Sequence, residues 1–240
     1  MNEIAIVTGG TRGIGAAISK ELIAHGYKVA AVYGGNADAA AKFEEETGAR
    51  AFCWDVSNFT ACHDGVARIE DELGTVSILV NNAGITRDGT LHKMTEERWQ
   101  VVIQTNLSSC FNMCHAVIGG MRERHYGRIV NIGSVNGQTG QYGQVNYAAA
   151  KSGIHGFTKA LAQESAGFGI TVNAIAPGYI ETSMVAQIPQ RILEKIVAGI
   201  PVGRLGQPEE IARGVTFLVD RNAGFITGST LSINGGQHMY

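Results

Sequence analysis

Ile4-Ala-Ile-Val-Thr8 is a β-branched run that stops at glycine. Gly9-Gly-Thr-Arg-Gly-Ile-Gly15 follows, and Ile14, Ile18, Leu22 and Ile23 then recur at helical spacing. A short apolar run bounded by glycines reads as a buried strand, and the recurrence after it reads as a helix that Gly26 ends. The unit is repeated down the chain. Lys28–Tyr33, Ala49–Cys53, Val76–Val80, Arg128–Ile132, Ile170–Ile175 and Thr230–Ile233 read as strands. Helical patterns separate them over Ala37–Thr47, Asn58–Leu73, Glu97–Met121 and Tyr147–Phe168, and one more helix opens at Pro208, where proline suits the first turn. Strand and helix in strict alternation predict an α/β fold, one doubly wound parallel sheet with helices on both faces. No internal repeat or linker interrupts the pattern, so residues 1–240 are expected to form a single domain.

A fold of 240 residues buries roughly three-quarters of its unfolded surface, so it needs neither disulfides nor a structural metal. The four cysteines, Cys53, Cys62, Cys110 and Cys114, form no C-x-x-C pair and read as reduced thiols of a cytoplasmic protein. Cys110, Cys114 and His115 lie in a largely apolar segment, which favours core packing over a metal site. A net charge of −2 gives no electrostatic footprint for nucleic acid or an anionic membrane. No apolar run approaches the roughly 18 residues of a membrane span. The start passes directly into a strand, so no targeting peptide is expected.

Strand, glycine turn and helix together are where backbone amides at a helix N-terminus bind phosphate. The spacing here is G-x-x-x-G-x-G rather than G-x-G-x-x-G. After the second strand comes Tyr33-Gly34-Gly35-Asn36, with no carboxylate before Asp38. An acid there would receive a ribose 2′-hydroxyl and repel a 2′-phosphate. Its absence, with Arg12 in the glycine turn, favours NADP(H) over NAD(H), and Lys42 is a second, weaker cation. Asp55, just past the third strand, could reach an adenine amino group or cap the next helix; both readings stand at this point. Small residues in Asn81-Asn82-Ala83-Gly84 would let a cofactor approach the backbone. Asn106, inside the Glu97–Met121 helix, is either a polar link in the core or the site of a kink.

Ser134 to Lys151 carries the chemistry-bearing pattern: a serine, then a tyrosine, then a lysine four residues on. On a helix, Tyr147 and Lys151 share one face. A free phenol has a pKa near ~10, so matching it to pH ~7 takes roughly 4 kcal/mol, and the Lys151 ammonium favours the phenolate. Ser134 can donate a hydrogen bond to a developing alkoxide. Gln141, Tyr142 and Gln144 lie between serine and tyrosine, where a substrate must sit.

Thr8-Gly-Gly-Thr-Arg-Gly-Ile-Gly15, Asn81-Asn-Ala-Gly84, Ser134 with Tyr147-x-x-x-Lys151, and Pro177-Gly178, in this order, resemble the short-chain dehydrogenase/reductase family over essentially the whole chain. The resemblance implies a Rossmann-type seven-stranded sheet in the order 3-2-1-4-5-6-7, usually in a homotetramer, with catalytic positions at Asn106, Ser134, Tyr147 and Lys151. It also implies that Lys151 holds the nicotinamide ribose and Asn106 a proton-relay water. Cofactor contacts are expected at Gly9, Thr11, Arg12, Gly13, Ile14, Gly15, Asp55, Val56, Asn82, Ala83, Gly84, Tyr147, Lys151, Pro177, Gly178 and Ile180. Within the family, Asn82-Ala-Gly-Ile-Thr-Arg-Asp88, the run from Ser134 to Gln144, His155-Gly-Phe-Thr158, Pro177-Gly-Tyr-Ile180 and Asn234-Gly-Gly-Gln-His-Met239 are similar to the NADPH-dependent acetoacetyl-CoA reductases of polyhydroxyalkanoate synthesis. That likeness implies an acyl-CoA substrate, a (3R) product and substrate contacts at Asp88, Gln141, Tyr142, Gln144, Gly178 and Tyr179, with Lys93 near coenzyme A. The neighbouring 3-oxoacyl-carrier-protein reductases tend to place a basic residue where Phe168 stands here; Arg124 and Arg128 remain for an acidic carrier. A non-enzymatic NADP-sensing protein would need neither the tyrosine nor the lysine.

Overall fold

The computed structural model describes residues 3–183 and 185–239. Seven strands form one sheet in the order 3-2-1-4-5-6-7, and every pairing is parallel. They are β1 (Ile4–Thr8), β2 (Lys28–Tyr33), β3 (Arg50–Cys53), β4 (Val76–Asn81), β5 (Gly127–Ile132), β6 (Ile170–Pro177) and β7 (Thr230–Ile233). Side chains alternate along each strand between two cores. Ile4 and Ile6 enter one, with Val32, Phe52 and Leu79; Ala5 and Val7 enter the other, with Ile78, Val80 and Ile175. Helices cover both faces, which is why the strands read as continuous apolar runs rather than as alternating ones.

On one face lie α1 (Gly13–Ala24), through Ile18 and Leu22, and α9 (Pro208–Val219), through Ile211, Val215 and Leu218. On the other lie α3 (Phe59–Leu73), through Val66 and Ile69, α5 (Ser109–Glu123), through Met113, Val117 and Met121, and α7 (Val145–Ser165), through Ala162. Helix α2 (Ala37–Thr47) is capped by Asn36, whose Oδ1 accepts from Ala39 N–H at 3.0 Å. Cys110 and Cys114 are buried free thiols, and burial pushes Cys110 up to about 11. His115 faces outward instead, with its Nδ1 3.0 Å from His63 Nε2. None of the described helices is long and apolar enough to cross a membrane.

Several boundaries differ from the sequence expectation. The single helix expected over Glu97–Met121 is α4 (Glu96–Ile103) and α5 separated by a π-helical turn over Gln104–Ser108. The turn inserts an extra residue at Asn106, whose carboxamide leaves the helix to bond Ile85. Thus Asn106 is both the polar link and the irregularity. Strand β6 runs on to Pro177, which the ladder tolerates at the strand end. Two further helices were not expected from the sequence. Helix α6 (Val135–Thr139) is a five-residue turn capped by Ser134, and α8 (Gln190–Ala198) lies wholly on the surface with none of its residues buried. Asp55 does not cap α3. Asn58 does, accepting from Ala61 N–H at 2.9 Å, while Asp55 Oδ1 accepts from Ser57 N–H at 2.8 Å in a local turn.

Arg128 bolts the amino end of the sheet. It is 4% exposed, and its guanidinium donates to the carbonyls of Gly127, Gly169, Asp220 and Arg221 at 2.9–3.4 Å. The plane also lies 4.6 Å from the Tyr126 ring centroid. This commits one of the two arginines that the sequence offered to an acidic carrier. Arg128→Met leaves buried carbonyls without donors, so thermal melting is expected to fall by roughly 5–10 °C, a loss of about 2–4 kcal/mol.

Candidate active site

In a wholly parallel sheet, all carboxyl ends open on one edge, and ligands gather where the strand order reverses. That point lies between β1 and β4. Gly9 follows β1 with φ 62°, and a Cβ on Gly15 would fall 2.0 Å from Gly9 O. The turn can be built only from glycine at these two positions. Helix α1 begins at Gly13 with no side-chain cap, since its N-cap is Arg12. Thr8 Oγ1 accepts from the N–H groups of Asn82 and Ala83 at 2.9 and 3.0 Å, and Asn82 Nδ2 donates to Thr8 O at 2.9 Å. The ends of β1 and β4 are thereby locked together around a cradle of backbone. Uncapped helical N–H groups behind such a cradle fit the pyrophosphate of a dinucleotide.

Thr11 is buried beneath the turn, whereas Arg12 is exposed and, among the described residues, makes no ion pair. Lys42 is exposed and lies 3.8 Å from Glu46 in an i,i+4 pair on α2. Asp55 and Val56 follow the edge strand β3, away from the β4–β5 ends; Asp55 is exposed and Val56 buried.

The catalytic candidates converge past β4 and β5. Lys151 is 4% exposed; its Nζ donates to Ile132 O at 2.7 Å and lies 5.7 Å from the Tyr147 ring centroid. A Cβ on Gly84 would fall 2.6 Å from Asn106 Oδ1 and 3.6 Å from Lys151 Nζ, so these three positions crowd together. Asn106 is fully buried; its Nδ2 donates to Ile85 O and Val102 O at 3.0 and 2.8 Å, and its Oδ1 accepts from Ile85 N–H at 3.2 Å. Ser134 caps α6, its Oγ accepting from Asn136 N–H at 3.1 Å. With that lone pair used, the hydroxyl proton is free to point into the site, where Ser134 shares a hydrogen bond with Tyr147.

Burial raises the Tyr147 pKa above its ordinary value; the Ser134 hydrogen bond opposes this, and Asp88 and Tyr179 add to it. Lys151 is not among the groups that shift the phenol in this structure. The lysine turns its Nζ to Ile132 O rather than to the phenol oxygen, and burial dominates. Burial also lowers Lys151 itself from 10.5 to about 8.

The rim contains the expected substrate positions. Gly89 N–H donates to Gly143 O at 2.8 Å, which sets Asp88 against Gln144, whose Nε2 donates to both Asp88 oxygens at 3.1 and 3.0 Å. Gln141 is exposed, and Tyr142 is 86% exposed on a loop between Gly140 and Gly143, both at positive φ. Lys93 ends a 3₁₀ turn on the exposed side of the same region. Tyr179 is half-buried, and its N–H donates to Gln237 Oε1 at 3.2 Å. Gly178 is required by Asn234, since a Cβ there would lie 2.8 Å from Asn234 Cα. Pro177 closes β6, and the Ile180 side chain packs into the core while its backbone bridges Gly206.

Three connectors escaped the sequence reading: Thr8, Asn136 and Asn146. Asn146 is fully buried beside Tyr147; its Nδ2 donates to Arg87 O and Arg98 O at 3.1 and 3.2 Å, and its Oδ1 accepts from Tyr147 N–H at 2.8 Å. The available signal was asparagine in a stretch otherwise rich in small residues, since a buried carboxamide must find partners.

Comparison with known proteins places this geometry in context. A family model described as enoyl-(acyl carrier protein) reductase matches residues 9–238. A protein of Shinella zoogloeoides named acetoacetyl-CoA reductase is 62% identical over 99% of both chains. One of the same name from Rhizobium meliloti is likewise 62% identical over 99% of both. A 3-oxoacyl-(acyl-carrier-protein) reductase of Vibrio harveyi is 44% identical over 99% of this chain and 98% of its own.

The buried lysine gives a pH-dependent test. Its folded value lies below its unfolded one, so the folded protein binds fewer protons between pH 8 and 10.5 and stability rises across that window. Below pH 8 the full penalty is present; the drop from 10.5 to about 8 is worth about 3 kcal/mol. Lys151→Met is therefore expected to melt above the wild type at pH 7, with the gap closing as pH rises towards 10. A gap that stays constant with pH in calorimetric melts would remove the buried-charge account.

Proposed function

The chain belongs to the short-chain dehydrogenase/reductase family of oxidoreductases, and we propose that it reduces acetoacetyl-CoA, a short 3-oxoacyl-CoA, to the (3R)-3-hydroxyacyl-CoA with NADPH. The observation that carries this reading is the convergence of Ser134, Tyr147 and Lys151 beside a backbone-only phosphate cradle. The substrate class is supported by relatives named acetoacetyl-CoA reductase that are 60–62% identical along nearly the whole chain.

NADPH, when bound, supplies the hydride to the carbonyl carbon. The turn from Gly9 to Gly15 and the start of α1 hold the pyrophosphate. Arg12 meets the 2′-phosphate, and Asp55 and Val56 line the adenine side. Asn82, Ala83, Gly84, Pro177, Gly178 and Ile180 offer backbone to the nicotinamide end. Lys151 holds the ribose there, and Asn106 keeps the wall opposite it in place.

At the carbonyl oxygen, Ser134 donates a hydrogen bond and Tyr147 delivers the proton. The raised pKa keeps Tyr147 protonated at neutral pH, so it enters the reaction as the acid. Ser134 and the Lys151 ammonium stabilise the phenolate left behind. Asp88, Gln141, Tyr142, Gln144, Gly178 and Tyr179 form the rim that the thioester arm crosses. The same family reading carries assembly as a homotetramer.

Reductases of carrier-protein thioesters are the second reading, supported by relatives of that name at 44–46% identity. Arg128 counts against it because its donors are committed inside the fold. Phe168 does too: the Arg122 guanidinium stacks 3.7 Å from its ring centroid instead of reaching outward.

Purified protein should oxidise NADPH with acetoacetyl-CoA far faster than with the corresponding carrier-protein thioester; the reverse order would transfer the proposal to the second reading. No turnover with either would favour an NADP-sensing role. Tyr147→Phe should keep the wild-type melting temperature and NADPH affinity yet lose nearly all turnover. The KM for NADPH should lie at least roughly tenfold below that for NADH, about 1.4 kcal/mol, and Arg12→Ala should bring the two together.

A further inference from the structure

Asn136 stands where four parts of the site meet. Its main-chain N–H holds Ser134 Oγ at 3.1 Å. Its Nδ2 donates to Gln144 Oε1 at 2.9 Å, and Gln144 Nε2 in turn donates to both oxygens of Asp88 at 3.1 and 3.0 Å. The Tyr179 hydroxyl shares a hydrogen bond with the Asn136 carboxamide. The loop after β4, the start of α6, the Gly140–Gln144 loop and the loop after β6 are thus joined through one side chain.

The direction of this chain is not arbitrary. An ionised carboxylate only accepts. Asp88 therefore fixes the amide nitrogen of Gln144 towards itself and turns Oε1 to Asn136. Asn136 must then present Nδ2 to Gln144. Burial raises the Tyr179 pKa, and the same amide end, interacting with the Tyr179 oxygen, favours the phenolate and lowers it. One charge at the mouth orients two carboxamides that cannot orient themselves. The loop between them needs such a tie, because Gly140 and Gly143 both take positive φ with nothing within 4 Å of the position a Cβ would occupy.

We propose that Asn136 is the positioning residue of the substrate rim: by donating to Gln144 it closes a polarised Asp88–Gln144–Asn136 chain that holds the rim in register with Ser134 and so governs thioester binding rather than the chemical step. This rests on the reading of the rim as a thioester site. The chain acts through Gln144 and Asp88, and Asn136 need not touch the reacting atoms.

The proposal has a specific signature, because the polarity of the chain can be reversed. In Asn136→Asp the new carboxylate faces Gln144 Oε1, and two acceptors meet. In Asp88→Asn the anchor that orients Gln144 is lost. Combined, the two substitutions let Gln144 turn over, donate to position 136 and accept from position 88, with the net charge unchanged. Each single variant is expected to raise the KM for acetoacetyl-CoA about tenfold, in line with the loss of a charge-assisted hydrogen bond. The value of kcat should stay within about threefold of wild type, and NADPH affinity, read by fluorescence, should not change. The double variant is expected to return KM to within about threefold of wild type. Asn136→Ala, which changes no charge, should raise KM as well.

An unchanged KM in Asn136→Ala or Asn136→Asp overturns the proposal, as does a double variant no better than the worse single. Melting temperatures of the ligand-free variants read the same cycle without substrate: coupling supports the chain, and strict additivity overturns it. A wild type inactive on acetoacetyl-CoA defeats the functional reading, while the melting cycle still decides the chain.

Discussion

The structure depends on an ammonium buried against a backbone carbonyl. Lys151 Nζ donates to Ile132 O and is almost wholly withdrawn from solvent. A well-packed apolar side chain would fill this space at lower cost, because desolvating a charge is only partly offset by one neutral acceptor. Close approaches crowd around it. Gly137 must be glycine, since a Cβ there would lie 2.7 Å from the Lys151 carbonyl carbon, and only so can α6 approach α7. Gly84 is bare for the same reason against Asn106. The π-helical turn at Gln104–Ser108 is the third such feature, because it carries Asn106 out of helical register and towards Ile85. A cost concentrated at the carboxyl ends of β4 and β5, beside the phosphate cradle, belongs to binding and chemistry rather than to folding.

The sheet was legible from sequence because its cause is local. Helices cover both faces, so nearly every strand residue faces a core, and β1, β2, β4 and β5 announce themselves as short apolar runs. The helices on either face show a 3.6-residue period wherever they are half-buried. Legibility failed elsewhere for different reasons. Helix α8 carries Ile192, Leu193, Ile196 and Val197 at helical spacing, a signal the sequence reading missed, and its apolar side is only partly covered; α6 is one capped turn in a glycine-rich stretch. The π-helical turn shifts the register by a single residue and leaves the apolar pattern on both sides intact. Asp55 and Asn58 illustrate a subtler limit. Both types cap helices, and only the backbone path after β3 decides which one reaches the N–H groups of α3.

At the site, spacing revealed which groups react but not how they are set. Tyr147 and Lys151 share a helix face, as four-residue spacing requires. That rule is silent on rotamer. The lysine satisfies Ile132, so the phenol responds to its own burial and to Ser134. The connectors were illegible for a related reason. Thr8, Asn136 and Asn146 have partners 74, 8 and 59 positions away. Nothing in a linear reading brings a threonine at the end of β1 to the N–H of Asn82, yet that bond joins the two halves of the sheet at their reversal point.

The division of labour between floor and rim follows from these materials. The proposed cofactor cradle is main chain: Gly9, Gly15 and Gly178 are fixed by close backbone or side-chain approaches, and substitution at any of them meets an atom within about 3 Å. A surface of that kind binds what is common to every dinucleotide and discriminates little. Discrimination requires side chains, and they occur in two places. Arg12 is exposed at the start of α1, where on the proposed reading it meets the phosphate that distinguishes one nicotinamide cofactor from another. Asp88, Gln144, Asn136 and Tyr179 stand across the mouth, on loops that only hydrogen bonds hold together. A rim bound through polar side chains can change its substrate without disturbing the lysine beneath it. The floor cannot change at all without losing the glycines that let Lys151 and the cradle exist.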